Sequence, residues 1–166
     1  MKALILRVFL TALGSLSLSA QAIPDFSGNW TMDLSRSEAA AQGTAIGPVT
    51  VAIQQTASEV RVETTRNGST EVVRYFPVGW KTAPSGELTG TFRWDGPRLI
   101  TDLVTHINNQ AVTIEETRTL NSGATEMAVV VSLVVQHGYQ TGGTGVVRSA
   151  NAPNTSVGRN VYVKAK

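Results

Sequence analysis

Cysteine is absent from the 166-residue sequence, and histidine occurs only twice. Without cysteine there can be no disulfide framework, no thiolate nucleophile and no cysteine-ligated metal. A metal site on His106 and His137 would need carboxylate ligands, and no His-x-x-x-His spacing occurs. Walker, dinucleotide-binding and nucleophile-elbow motifs are missing too. We therefore expect neither a metal nor a cofactor.

An excess of charge of either sign is also missing, once the first 22 residues are set aside. The chain has 14 basic and 12 acidic residues. Lys2 and Arg7 account for two of the basic ones, so residues 23–166 carry twelve of each sign. This balance gives no basis for binding nucleic acid or an anionic membrane.

The first 22 residues have the pattern of a secretory signal peptide. A basic start precedes an apolar run over 8–18, and Ala20-Gln21-Ala22 fits the small-x-small cleavage rule. We expect cleavage after Ala22, which would leave a single domain over 23–166 with no transmembrane anchor. The protein would then be periplasmic or secreted, and the missing cysteines favour a bacterial exported protein.

Helix signals are sparse, and the one candidate, 35–42, is either a helix of about two turns or a loop. Val, Ile and Thr dominate runs that turn residues separate, and the long 138–158 segment is rich in Gly, Asn, Thr and Ser. Asn67-Gly68 is a strong hairpin signal, and Asn108-Asn109 is a second. The pattern predicts an all-β fold, an antiparallel meander of eight to nine strands that forms a barrel or a sandwich. The predicted strands are 28–34, 49–56, 60–66, 70–77, 87–94, 98–107, 110–120, 125–136 and 159–165.

A tight turn at Asn108-Asn109 would place Thr101 opposite Glu116 on the more apolar face of its hairpin. Arg118 lies on the same face. If this face is the core, Glu116 and Arg118 must pair with each other or with a ligand, because an unpaired buried charge is costly. The alternative is that this end of the strand reaches the barrel rim and both side chains are solvated.

On the opposite face, the same register places Asp102 against Glu115, with His106 four residues from Asp102. Two carboxylates and a histidine could act as an acid and a base, or the carboxylates could bind a hard cation. The alternative is a solvated outer face without a catalytic role.

The three tryptophans could lie in the core or in a pocket wall, and the apolar run over 129–135 could lie under a loop or at an interface. We expect Trp30 to pack in the core, whereas Trp80 and Trp94 either pack or form the wall of an apolar pocket. The run over 129–135 is apolar on both strand faces. Either the long loop or a second subunit in a homo-oligomer would cover its outer face.

The stretch FSGNWTMDLSRSE, residues 26–38, resembles the first-strand signature of lipocalin-like (calycin) barrels. The form SGxWxxDxxxS resembles that of small exported bacterial lipocalin-like proteins. The resemblance implies a closed barrel in which Gly28 lets the chain bend and Trp30 plugs the floor. In the family an arginine from a late strand covers this Trp, so Arg148 and Arg159 are the candidates here. Arg118 stands where relatives usually carry an aromatic, which argues against a purely apolar interior.

A second resemblance, to the avidin group, rests on GNWTMDLSRS and GELTGTF. These strands lie too far apart in this chain, and the pocket tryptophans that hold biotin are missing, so we do not expect biotin binding.

Three functions remain as hypotheses. The first is an exported protein that binds a small apolar or amphipathic ligand, with Thr101, Glu116, Arg118, Trp80 and Trp94 as candidate contacts. The second is a barrel enzyme, a lyase, isomerase or cyclase, that uses acid–base side chains among Asp102, His106, Glu115 and Glu116. The third is a structural or assembly protein that associates through 129–135.

Overall fold

The computed structural model describes residues 23–38, 47–80, 86–107, 110–135 and 154–165. The predicted signal peptide over 1–22, the Asn108-Asn109 turn and residues 138–153 of the predicted loop lie outside the described residues. Within the described ranges, no helix is long and apolar enough to span a bilayer.

The described residues form nine strands. They are β1 (Gly28–Met32), β2 (Val49–Gln55), β3 (Val60–Arg66), β4 (Ser69–Pro77), β5 (Leu88–Asp95), β6 (Arg98–Ile107), β7 (Gln110–Leu120), β8 (Glu126–Val135) and β9 (Asn154–Lys164). Each strand pairs with the next along the chain, and β9 pairs with β1, so the sheet closes into a barrel. The predicted all-β barrel is confirmed.

Eight of the strand pairs among these residues are antiparallel, and the β4–β5 pair is parallel. A closed ring in which every neighbour is antiparallel must contain an even number of strands. Nine strands therefore require at least one parallel pair, which the hairpin signals in the sequence did not indicate.

Gly90 lies opposite Tyr75 in this parallel pair. A Cβ at Gly90 would overlap the carbonyl oxygen of Asp102 and lie 2.7 Å from Cδ1 of Tyr75. The missing side chain thus leaves room for the Tyr75 ring, which is buried. Close backbone approach is a common reason for glycine within a strand.

We expect Gly90→Ala to lower the free energy of unfolding by about 1–3 kcal/mol, the usual cost of overpacking a close contact. Urea unfolding followed by circular dichroism would measure it. Gly86→Ala is not a suitable control because Gly86 has a φ of 87°. Thr89→Ala, on the neighbouring residue, is a better one, and an equal loss in both variants would contradict the packing explanation.

The predicted hairpin registers are confirmed where the structure describes them. Asn67 and Gly68 have φ values of 51° and 78°, as a two-residue primed turn requires. On β6 and β7, Thr101 lies opposite Glu116 and Asp102 lies opposite Glu115.

Two predicted elements need correction. Instead of a helix from Ser35, residues Leu34–Arg36 form one 3-10 turn, which Asp33 caps by accepting a hydrogen bond from the Ser35 amide; residues 39–42 lie outside the described ranges. In addition, β9 begins at Asn154, not at Arg159, because 154–158 pair with the end of β8. Backbone hydrogen bonds form this ladder, so the polar composition of the segment concealed it.

Trp30 fills the closed end of the barrel, hereafter the floor. Its indole Nε1 donates to the Phe26 carbonyl at 3.0 Å, and the Phe26 ring lies 6.1 Å from that of Trp94. Phe26, Trp30 and Leu99 are almost completely buried. The floor is therefore a packed aromatic layer, in which the indole N–H of Trp30 has a backbone carbonyl as its hydrogen-bond acceptor.

In the part of the chain that the structure describes, Lys164 covers Trp30, and its Nζ lies 5.2 Å from the ring centroid. Of the two expected arginines, Arg159 is exposed and its backbone bridges to Glu38, while Arg148 lies outside the described residues. The β1–β9 register explains why Lys164 reaches the indole, since it places Lys164 directly opposite Trp30. Gly28 has a φ of 133°, and a Cβ there would lie 2.8 Å from Cε of the same lysine. Glycine at this position therefore gives the lysine room to cover the indole.

Candidate functional site

A cavity of about 670 Å³ lies inside the barrel above the floor. This volume is within the range of small-molecule pockets, about 300–1,000 Å³. The cavity reaches the surface beside the β3–β4 turn, where the lining residues Arg66, Asn67 and Ser69 are exposed. We call this end the mouth. Much of the wall is apolar and includes Val51, Val62, Leu103, Ile114, Val129 and Leu133.

A buried ion pair crosses the lower part of this cavity. Arg118 and Glu116 point inward from β7, as strict alternation along the strand requires. A terminal guanidinium nitrogen of Arg118, Nη2, donates to Oε2 of Glu116, and Nη1 donates to the hydroxyl of Thr101 at 2.7 Å. The side chain of Arg118 is only 4% exposed, so the predicted solvated rim is wrong for this residue. Thr101 lies behind the guanidinium and holds it, without lining the cavity itself.

Electrostatics keep the Arg118 guanidinium charged in this buried position. Burial by itself would lower the pKa of Arg118, but the charge of Glu116 and the nearby phenols of Tyr75 and Tyr162 outweigh it. The net effect raises the pKa of Arg118 above its ordinary value. A buried charge with a hydrogen-bonded partner of opposite sign is the arrangement that tolerates burial.

Tyr75 and Tyr162 complete the polar part of the cavity, and neither was among the site residues predicted from the amino-acid sequence. Both side chains are buried, and both line the cavity. Burial, followed by the charge of Glu116, raises the pKa of each phenol to about 12, so both hydroxyls are neutral hydrogen-bonding groups at neutral pH. Strand alternation with the inward Val73 could have assigned Tyr75 to the interior.

The predicted acid–base cluster lies on the outside of the barrel. Asp102 and Glu115 are opposite each other, as predicted, but Arg93 lies between them and bonds to both carboxylates, at 2.8 Å in the case of Glu115. The arginine relieves the repulsion of the two like charges. His106 is exposed on the same outer face. The cluster is therefore an outer-surface ion-pair network.

Neither of the two tryptophans expected in the pocket wall lines the cavity. Trp80 is 52% exposed and stacks on Phe76, with ring centroids 5.7 Å apart. Trp94 packs in the floor against Phe26 and Phe92. As a correction, Trp80 lies beyond the end of β4 on the outer surface, whereas Trp94 is partly buried and packs against the core at the floor, below the cavity.

The outer face of β8 is partly exposed, with Val130 at 42%. Most of the 138–158 loop expected to cover it, residues 138–153, lies outside the described residues, so the loop cover and the homo-oligomer both stay predictions. In the ranges that the structure describes, no group of three or more His, Asp or Glu side chains is placed to hold a metal ion.

Comparisons with known proteins add little to this geometry. No family model matches the chain, and no curated protein matches it. Among solved structures, it is similar to the crystal structure of a single-site mutant of the fluorescent protein UnaG, with 14% identity and a TM-score of 0.44. That likeness covers 85% of this chain and 96% of the other. It carries no functional argument, so the site must be judged on its own residues.

Proposed function

We propose that the protein is an exported, lipocalin-like carrier that binds one small amphipathic molecule inside its barrel. The observation that carries the proposal is the cavity itself, which combines apolar walls with one internal polar cluster. Such a combination is typical of small-molecule sites, in which apolar contacts provide affinity and a few polar groups fix orientation. The export part rests on the signal-peptide pattern of residues 1–22.

Three of the four candidate residues of the barrel-enzyme alternative lie outside the cavity, and only Glu116 lines it. Asp102 and Glu115 are engaged by Arg93 on the outer surface, and His106 is exposed there. A general acid or base must lie within hydrogen-bond reach of the reacting group in a substrate pocket. These three side chains do not line the cavity.

Two neighbouring valines on β8 allow a direct test of the cavity. Val131 lines the cavity, whereas Val130 points outward and is exposed. We expect Val131→Trp to weaken binding of the apolar dye Nile red at least about tenfold, because the indole would occupy space that the ligand needs. Val130→Trp introduces the same side chain on the outer face and should leave binding nearly unchanged. Nile red fluorescence titration would measure both.

Equal affinity of the two variants would place the dye outside the barrel and contradict the proposal. Native mass spectrometry of the natively purified protein, before and after denaturation, would show in addition whether a small molecule is retained. We expect one molecule per chain in the wild type and none in Val131→Trp.

A further inference from the structure

The ion pair in the cavity restricts the polar group that a ligand can carry, an inference that rests on the proposed function. Among the described residues, four charged side chains line the cavity: Arg66, Glu71, Glu116 and Arg118. Arg66 and Glu71 are exposed at the mouth, where water screens them. Glu116 and Arg118 form the internal pair and cancel each other's charge. The interior thus offers no net charge to a ligand.

The order of the two charges along β7 matters as much as their sum. Arg118 lies opposite Leu99 in the floor, and Glu116 lies opposite Thr101, one inward position nearer the mouth. The side chain of Glu116 is 26% exposed, against 4% for Arg118. A ligand that enters from the mouth therefore meets the carboxylate before the guanidinium.

The hydrogen bonds show which atoms remain for a ligand. Both terminal nitrogens of Arg118 are engaged, one by Thr101 and one by Oε2 of Glu116. No side chain in the described part of the chain donates to the other oxygen of Glu116, Oε1. This oxygen is not among the buried atoms that lack a partner and the Glu116 side chain is 26% exposed, so Oε1 is open to a donor from water or from a ligand. Tyr75, Tyr162 and Asn160 also line the cavity and supply neutral hydrogen-bonding groups.

A charged ligand group would fit this arrangement poorly. An ionised carboxylate would lie beside Glu116 in a site of low dielectric constant, where juxtaposed like charges are strongly unfavourable. A cation would compete with Arg118 for Glu116 and would leave a buried guanidinium with a weakened partner. An uncharged donor avoids both costs, because it bonds to Oε1 and leaves the ion pair intact.

We propose that the ligand is a neutral amphipathic molecule whose polar end is an uncharged hydrogen-bond donor, such as a primary carboxamide or a hydroxyl. This end bonds to Glu116 and the tyrosine hydroxyls, and the apolar part extends towards the mouth along Ile114 and Leu133.

The test compares decanamide with decanoate, which have equal chain lengths and differ in charge at neutral pH. Each is titrated against bound Nile red, and its displacement gives a dissociation constant. We expect the wild type to bind decanamide at least about tenfold more tightly than decanoate, because only the acid brings a second negative charge to Glu116.

Variants of Glu116 test the assignment to this residue. Glu116→Gln removes the negative charge and leaves Arg118 uncompensated, so the preference should shift to decanoate. Glu115→Gln removes the same charge from the outer face and should keep the wild-type preference. Should Glu116→Gln fail to fold, the double variant Glu116→Gln with Arg118→Met, which has neither interior charge, should prefer decanamide less strongly than the wild type does, and an undiminished preference would contradict the role of Glu116.

The outcomes separate this inference from the proposed function. Tighter or equal binding of decanoate by the wild type would overturn the neutral-ligand inference, while ligand binding in the barrel would stand. Loss of preference in Glu115→Gln as well as Glu116→Gln would overturn the role of Glu116. If Nile red, decanamide and decanoate all fail to bind, the proposed function fails and this inference with it.

Discussion

Replacing Arg118 with methionine should lower the free energy of unfolding by about 3 kcal/mol, within the usual range for breaking a buried ion pair. The substitution removes the partner of Glu116 and the hydrogen bond to Thr101. It leaves a carboxylate inside the barrel without its compensating charge. We place the expected loss at the low end of the range because a quarter of the Glu116 side chain is accessible to water in the cavity.

A double-mutant cycle would isolate the pair itself. Arg118→Met combined with Glu116→Gln should be more stable than the sum of the single losses predicts, with a coupling energy of at least about 2 kcal/mol. Urea unfolding followed by circular dichroism would give the four free energies. If the loss in the double variant equals the sum of the two single losses, Arg118 and Glu116 do not interact as a buried ion pair.

The outer face supplies a matched control cycle. Arg93 bonds to Glu115 at 2.8 Å, but both side chains are about two-fifths exposed, at 43% and 40%. Arg93→Met and Glu115→Gln should therefore couple by only about 0.2–1 kcal/mol, as exposed ion pairs do. Similar coupling in the two cycles would mean that the inner pair is as solvated as the outer one.

Replacing Trp30 with alanine should cost about 3–5 kcal/mol of unfolding free energy, as large-to-small core substitutions of aromatics do. The indole is 1% exposed, it donates a hydrogen bond to Phe26, and it lies beneath Lys164. Its removal would leave a void in the barrel floor that the surrounding strands cannot fill, because closure of the sheet fixes their spacing.

Trp80→Ala is the control for this substitution. It deletes the same ring at a half-exposed position that stacks on Phe76, so the loss should be below about 1.5 kcal/mol. Thermal and urea unfolding of both variants would give the comparison. If the two variants lose equal stability, Trp30 is not the floor residue that the structure indicates.

Local signals made much of the fold predictable. The Asn67-Gly68 turn predicted the β3–β4 hairpin, and the Asn108-Asn109 turn with strict alternation of side chains predicted that Thr101 lies opposite Glu116. These features depend only on neighbouring residues in one hairpin. The placement of Glu116 and Arg118 on a common inward face could therefore be inferred from the amino-acid sequence alone.

Contacts between strands distant in sequence were not predictable in this way. Tyr75 on β4 and Tyr162 on β9 join the β7 ion pair only because the barrel closes. Lys164 covers Trp30 only because β9 pairs with β1 in a particular register. The contact of Arg93 with Asp102 and Glu115 likewise joins three different strands, so the pattern within the β6–β7 hairpin could not predict it.

A crystal structure of the protein with decanamide bound would locate the ligand and so test whether it binds inside the barrel. We predict density for one molecule inside the barrel, with its amide within hydrogen-bonding distance of Glu116 and its alkyl chain directed towards the β3–β4 turn. A ligand bound only to the outer surface would contradict ligand binding inside this barrel, as would an interior filled by side chains.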